Sequence, residues 1–156
     1  FVSKSDIRDW PLVGMLATGA GTLYIERNSR RDALRMVQDM ADAMRAGDVV
    51  ALFPEGTTSD GRELLPFHAN LIQSAIQANA PVQPMSMRYS DAATGQTSFG
   101  PCYIGDDTLI GSMWRTLTSP AIVAVVHFGP VQWAQGRDRR AWAKDLREEV
   151  MRLREA

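Results

Sequence analysis

The apolar run Val49-Val50-Ala51-Leu52-Phe53 ends abruptly in Pro54-Glu55-Gly56, and three hydroxyl residues, Thr57, Thr58 and Ser59, come directly after. A short continuous apolar run bounded by turn residues reads as a strand buried on both faces, the kind found in parallel sheets covered by helices. Proline removes a backbone donor and ends the ladder. Residues 55–59 then sit at the strand's carboxyl end, where open α/β sheets gather their polar groups. One carboxylate, a glycine and a cluster of hydroxyl donors at that point make a candidate site.

Hydrophobic patterning along the rest of the chain alternates between helix and strand periods. Asp6 to Thr18 predicts a short helix interrupted by Pro11, and Gly21 to Arg27 predicts a strand. Arg31 to Ala46 gives the clearest helix, with Leu34, Val37, Met40, Ala41 and Met44 at helical spacing and Gly47 as its stop. Asp48 to Phe53 is expected as a buried, parallel strand. Phe67, Leu71, Ile72, Ala75 and Ile76 mark a further helix ending near Asn79. Val82 to Tyr89 is expected as a strand, with Pro84 at an edge or bulge. Ser90 to Gln96 is polar and expected as a loop. Strands are expected near Ser98 to Ile104 and at Ala121 to Phe128, with a helix between them. Arg139 to Arg154 predicts a charged amphipathic helix with Trp142, Leu146, Val150 and Leu153 on one face. The alternation implies an α/β fold: one domain over residues 1–156, with a mixed, mostly parallel sheet flanked by helices.

Composition narrows the function classes. A net charge of −1, without a basic run interleaved with aromatics, argues against a nucleic-acid partner. The single cysteine, Cys102, forms no internal disulfide and has no neighbouring His pattern, so it reads as structural. No string with metal-ligand spacing and no phosphate-binding glycine loop occurs, so no metal and no cofactor are expected. The longest apolar stretch, Ala121 to Val126, is too short to span a bilayer.

Three segments in order carry a resemblance: Gly21-Thr22-Leu23-Tyr24-Ile25-Glu26-Arg27, then Phe53 to Ser59, then Ala80-Pro81-Val82-Gln83-Pro84-Met85-Ser86-Met87. They resemble the second, third and fourth motif blocks of the PlsC-like glycerolipid acyltransferase family, which includes the 1-acyl-glycerol-3-phosphate acyltransferases. The opening Phe1-Val2-Ser3-Lys4-Ser5 and Trp10-Pro11-Leu12-Val13-Gly14 are similar to the residues that precede the second block there. The resemblance covers roughly the first ninety residues, and its strength lies in the order of the segments.

The family's first block, a His followed after four residues by an Asp, is missing. His68 has Gln73 five positions on and His127 has Gln132. That block carries the catalytic base. The expectation is therefore an N-terminally truncated acyltransferase domain, inactive by itself, with a membrane anchor able to lie upstream. The resemblance implies a fold like that of glycerol-3-phosphate acyltransferase. It also implies acyl transfer from acyl-CoA or acyl carrier protein, as co-substrate, to a lysophospholipid. The leading acceptor is 1-acyl-glycerol-3-phosphate, and the reaction is placed at the cytoplasmic face of the inner membrane. Its partners are then the lysolipid, the acyl thioester and the membrane surface.

Carried over residue by residue, the resemblance puts Lys4 and Arg27 on an acceptor phosphate. Glu55 would hold an acceptor hydroxyl or order its loop, with Gly56 allowing close backbone approach. Thr57 and Thr58 would supply donors. The chain departs from the family where Thr58 stands in place of an Arg, and where Phe67-His68-Ala69-Asn70 replaces a Phe-Lys segment. His68 can donate to an anion when protonated. One cation fewer leaves room for a lyso-ornithine-lipid acyltransferase; a competing reading from another class is a non-catalytic lipid- or partner-binding domain on the same scaffold.

Overall fold

The computed structural model describes residues 1–4, 8–10, 13–25 and 30–155. The elements are β1 (Val2–Lys4), α1 (Val13–Gly19), β2 (Leu23–Ile25), α2 (Arg30–Arg45), α3 (Ala69–Ala78), β3 (Met85–Asp91), α4 (Leu109–Thr118), β4 (Ile122–Phe128) and α5 (Arg139–Glu155). Helices and strands alternate, and the chain is α/β. It divides into two compact units. The first holds Phe1–Pro54, His68–Val82 and Trp133–Ala143; the second holds Glu55–Phe67, Gln83–Gln132 and Lys144–Ala156.

In the first unit β1 and β2 pair in parallel, with Val2 opposite Leu23, Ser3 opposite Tyr24 and Lys4 opposite Ile25. Val37, Met40 and Ala41 of α2 recur at i, i+3 and i+4 and are buried, as are Leu71, Ile72 and Ala75 of α3 and Trp142 and Ala143 of α5. Leu34, expected on the same stripe, is 70% exposed, so the buried face begins one turn later. Ser74 is buried within α3, and its hydroxyl is satisfied by donating to Leu71 O at 2.6 Å. Gly47 takes φ +96° and ends α2, as its position after the last periodic residue predicts.

α3 closes on a residue whose backbone is costly. Asn79 adopts the left-handed conformation, φ 47° and ψ 45°, with its N–H on Ile76 O and the Ala80 N–H on Ala75 O. Left-handed backbone costs a residue with a Cβ about 1–2 kcal/mol, less for Asn, and nothing steric for Gly. Asn79→Gly is therefore expected to leave the urea midpoint nearly unchanged, while Asn79→Ala lowers stability by about 1 kcal/mol. Equal midpoints for the two variants would show that this residue is unstrained.

In the second unit β3 and β4 pair antiparallel, from Met85 opposite Phe128 to Asp91 opposite Ile122. β3 begins directly after Pro84, a position where a missing N–H costs no ladder bond. It also runs two residues into the stretch expected as loop. The chain then turns on Asp91, whose Oδ1 accepts from Ala93 N, Thr94 N and Thr94 Oγ1. Those donors, Thr94 first, hold its carboxyl below the usual carboxylate range. On α5, Leu146 and Val150 are buried and Leu153 half-buried, as the apolar stripe predicts.

Three expectations are corrected. The described strands form one parallel pair and one antiparallel pair in separate two-stranded sheets, rather than one mostly parallel sheet. Asp48 to Phe53 forms no strand; Val49 is 93% and Phe53 66% exposed. Val2 N–H donates to Ala51 O at 3.2 Å, which sets this segment beside β1 without building a ladder. An apolar run reports a preference for leaving water, and burial also needs partners on both faces. Ser98 to Ile104 is likewise no strand. Thr97 bridges to Ser90 and Ser98 N–H donates to Tyr89 O, after which Gly100-Pro101 ends the pairing.

Candidate functional site

The Glu55 to Phe67 segment of the second unit carries most of the candidate residues. Glu55 is half-buried, and its Oε2 accepts from the Leu65 N–H at 2.7 Å, closing the loop between them. Gly56 follows with φ +70°, a conformation that only a residue without a Cβ takes freely. Thr57 and Thr58 are exposed. Further on, Ser59 Oγ accepts from Gly61 N at 3.2 Å and Asp60 Oδ1 from Arg62 N at 3.0 Å.

The loop is also held from α5. Arg147 donates through Nε to Leu65 O at 3.1 Å and through Nη2 to Leu64 O. Arg154 Nη2 donates to Gly61 O and, at 3.2 Å, to Arg62 O. Cys102 Sγ lies 3.5 Å from Asp60 O as its donor, and burial, with the nearby Asp60 charge, pushes the thiol's pKa up. A raised pKa disfavours the thiolate, in keeping with the structural reading of Cys102.

Chemically, this is a carboxylate with one oxygen committed to the loop and a run of hydroxyl donors just after it. A hydrogen bond from a neutral amide to a carboxylate is worth about 1.5–3 kcal/mol, enough to fix the carboxylate's direction. Such a group can accept a hydrogen bond from a substrate hydroxyl on its other oxygen.

The remaining candidates lie in the first unit. Lys4 ends β1 opposite Ile25, and its side chain lies outside the described residues. Arg27 also lies outside them. His68 precedes α3 as its N-cap; it is exposed, its side chain makes no capping bond, and its N–H donates to Pro54 O at 2.8 Å. Within this unit, β1 and His68 thus both adjoin the segment that ends at Pro54. The other histidine, His127, is occupied elsewhere: its Nδ1–H donates to Leu153 O at 2.8 Å. Sequence reasoning missed Arg147 and Arg154. Their seven-residue spacing puts them on one face of α5, which is the available signal, but their acceptors are backbone carbonyls that no motif spells out.

The sequence model of the family described as acyltransferase matches residues 1–88, more than half of the chain. The chain belongs to the acyltransferase family. All the candidate residues named from the sequence fall inside the acyltransferase match, whereas Arg147 and Arg154 lie beyond it. Among curated relatives, the 1-acyl-sn-glycerol-3-phosphate acyltransferase of Neisseria gonorrhoeae is 38% identical over 152 residues, covering 97% of this chain and 59% of that one. The lyso-ornithine lipid O-acyltransferase of Pseudomonas aeruginosa is 36% identical over 151 residues, covering 96% and 57%. The chain thus spans less than two thirds of the length of these acyltransferases. The crystal structure of the 1-acyl-sn-glycerophosphate acyltransferase PlsC from Thermotoga maritima matches all of this chain and 57% of that one, with a TM-score of 0.65 at 18% identity. At that identity the likeness is one of fold.

Proposed function

We propose that the protein carrying this chain moves a fatty acyl group from acyl-CoA or acyl carrier protein to the hydroxyl of a lysolipid, in phospholipid biosynthesis. The observation that carries this reading is the family match over a segment whose carboxylate, Glu55, is held in place by the Leu65 amide. Glu55 offers its second oxygen to the acceptor hydroxyl, and Thr57 and Thr58 supply donors beside it. The family resemblance assigns an acceptor phosphate to Lys4 and Arg27, with His68 as a further donor. A thioester is already activated, so the reaction asks for a base, an oxyanion donor and a positioned hydroxyl, and for no cofactor. The base is assigned to a His–Asp block that these 156 residues do not contain.

The acceptor is a membrane lipid, so the reading places the protein at a membrane surface, on the cytoplasmic side. No helix among the described residues is long and apolar enough to cross a membrane. Lysophosphatidic acid is the first choice of acceptor. A lyso-ornithine lipid is the second, favoured by Thr58 where the family carries a cation and by the lyso-ornithine lipid O-acyltransferase among the relatives.

The test is acyl transfer by the complete protein to each acceptor, before and after Thr58→Arg. With a phosphate acceptor the new guanidinium restores a charged partner and tightens binding by up to about tenfold. With an ornithine head group it repels the ammonium and lowers activity. An unchanged preference removes position 58 from the head-group site. Failure of transfer to either lipid would leave a binding domain without catalysis.

A further inference from the structure

Hydrogen-bonded groups in the second unit form a line that starts at Glu55 in the third motif segment and runs out of it to α5. The carbonyl of Leu64 and the N–H of Leu65 belong to one peptide group. Arg147 Nη2 donates to that carbonyl, and Glu55 Oε2 accepts from that N–H at 2.7 Å. A cation therefore sits at one end of a single peptide dipole and a carboxylate at the other. Each charge polarises the peptide in the direction that strengthens the other's bond. The second donor of the guanidinium, Nε, takes Leu65 O at 3.1 Å, so two successive carbonyls are gripped by one planar fork. That fork fixes the plane of the Leu64–Leu65 peptide, and with it the direction from which Glu55 is approached.

We propose that Arg147 is a positioning residue for the acceptor site, orienting the Glu55 carboxylate through the Leu64–Leu65 peptide. This rests on the reading of Glu55 as the group that holds the acceptor hydroxyl. It assigns a role in substrate placement to α5, which lies beyond the matched family segment. Three consequences separate this role from plain scaffolding. Loss of the fork affects the acceptor more than the thioester. Lysine restores the charge without the fork, so it rescues in part. The effect of Arg147 also depends on the charge at Glu55, because the two act on one peptide.

The experiment is a double-mutant cycle in the complete protein, with Arg147→Met, Arg147→Lys, Glu55→Gln and the Arg147→Met/Glu55→Gln pair, each assayed for both substrates. Arg147→Met is expected to raise the acceptor KM by about tenfold, the scale of one charged hydrogen bond. The thioester KM is expected to stay within about twofold, and Arg147→Lys to fall between. In the Glu55→Gln background the same Met substitution adds less than about twofold, since coupled residues are not additive. Multiplying effects, or equal rises in both KM values, would reduce Arg147 to scaffolding and overturn the proposal. Exchange of the Leu65 amide with deuterium is the second readout, and it needs no turnover. Faster exchange in Arg147→Met supports the link, and unchanged exchange overturns it, with Arg147→Lys standing in where the Met variant does not fold. If the complete protein transfers acyl groups to no lysolipid, the functional reading falls, and the link is judged by that exchange alone.

Discussion

Glu55→Ala in the complete protein is expected to lower kcat/KM for the lysolipid by about a hundredfold, while the protein stays folded. Two losses add. The Leu65 amide gives up a bond to a carboxylate, worth about 1.5–3 kcal/mol, and the loop from Gly56 to Leu64 loses its closure. On the proposed reading the acceptor hydroxyl also loses its partner, at a similar scale. Either loss alone is about ten- to a hundredfold and both fall on the same substrate, so about a hundredfold is the lower end of their product. Thermal unfolding is expected to shift by only a few degrees, because the loop is also held through Arg147 and Arg154. Glu55→Gln keeps an oxygen that can accept from Leu65 and is expected to fall between alanine and the parent. The measurement is steady-state kinetics with the acceptor varied at saturating thioester. Activity of the alanine variant within a few fold of the parent would dismiss Glu55 from the site.

Trp142→Ala is expected to destabilise the fold by about 3–5 kcal/mol, a large part of the roughly 5–15 kcal/mol that holds a domain together. Trp142 is completely buried, the largest such side chain, within the unit that also buries Met40 and Leu71. Its truncation leaves a cavity in a buried core, and the cost grows with the part of that cavity that does not collapse. Trp142→Phe behaves differently. The indole Nε1 is buried with no hydrogen-bond partner among the described residues, and an unpaired buried donor costs about 1–3 kcal/mol. Phenylalanine removes that donor and keeps a ring for the Arg137 guanidinium, which lies 5.6 Å from the indole centroid. The gain offsets much of the lost volume, so the phenylalanine variant should unfold within about 1.5 kcal/mol of the parent. Denaturant midpoints for the two variants check this. Equal destabilisation would mean that the Nε1 proton has a partner in solution.

Legibility in the sequence follows how locally each feature is determined. The apolar spacing predicts α2 over Arg31 to Ala46 and the helix runs Arg30–Arg45, because that spacing and the glycine stop are both local signals. α5 and β4 are legible almost as well, for the same reason. The segment Asp48 to Phe53 misleads because burial of a strand is a property of its neighbours, and the apolar run carries no information about them. Ser98 to Ile104 fails as a strand at Gly100-Pro101, where turn chemistry outranks β-propensity. Of the candidate site, the string Glu55 to Thr58 is legible as a motif, and the structure adds the Leu65 amide that aims its carboxylate. The arginines that grip the loop are not legible. A carbonyl oxygen is the same acceptor in every residue type, so a side chain that binds one leaves no mark at the far end of the contact.

The same anonymity governs how the protein can change over time. The guanidinium groups of Arg147 and Arg154 hold Gly61, Arg62, Leu64 and Leu65 by their main-chain oxygens and make no demand on the side chains there. On the proposed reading, a substitution at Thr57 or Thr58 alters the groups that the loop offers to a head group without loosening its architecture. A substitution at Arg147 or Arg154 loosens the architecture without altering those groups. The two properties are written at separate positions, so under that reading acceptor preference can drift one residue at a time on a frame that stays closed.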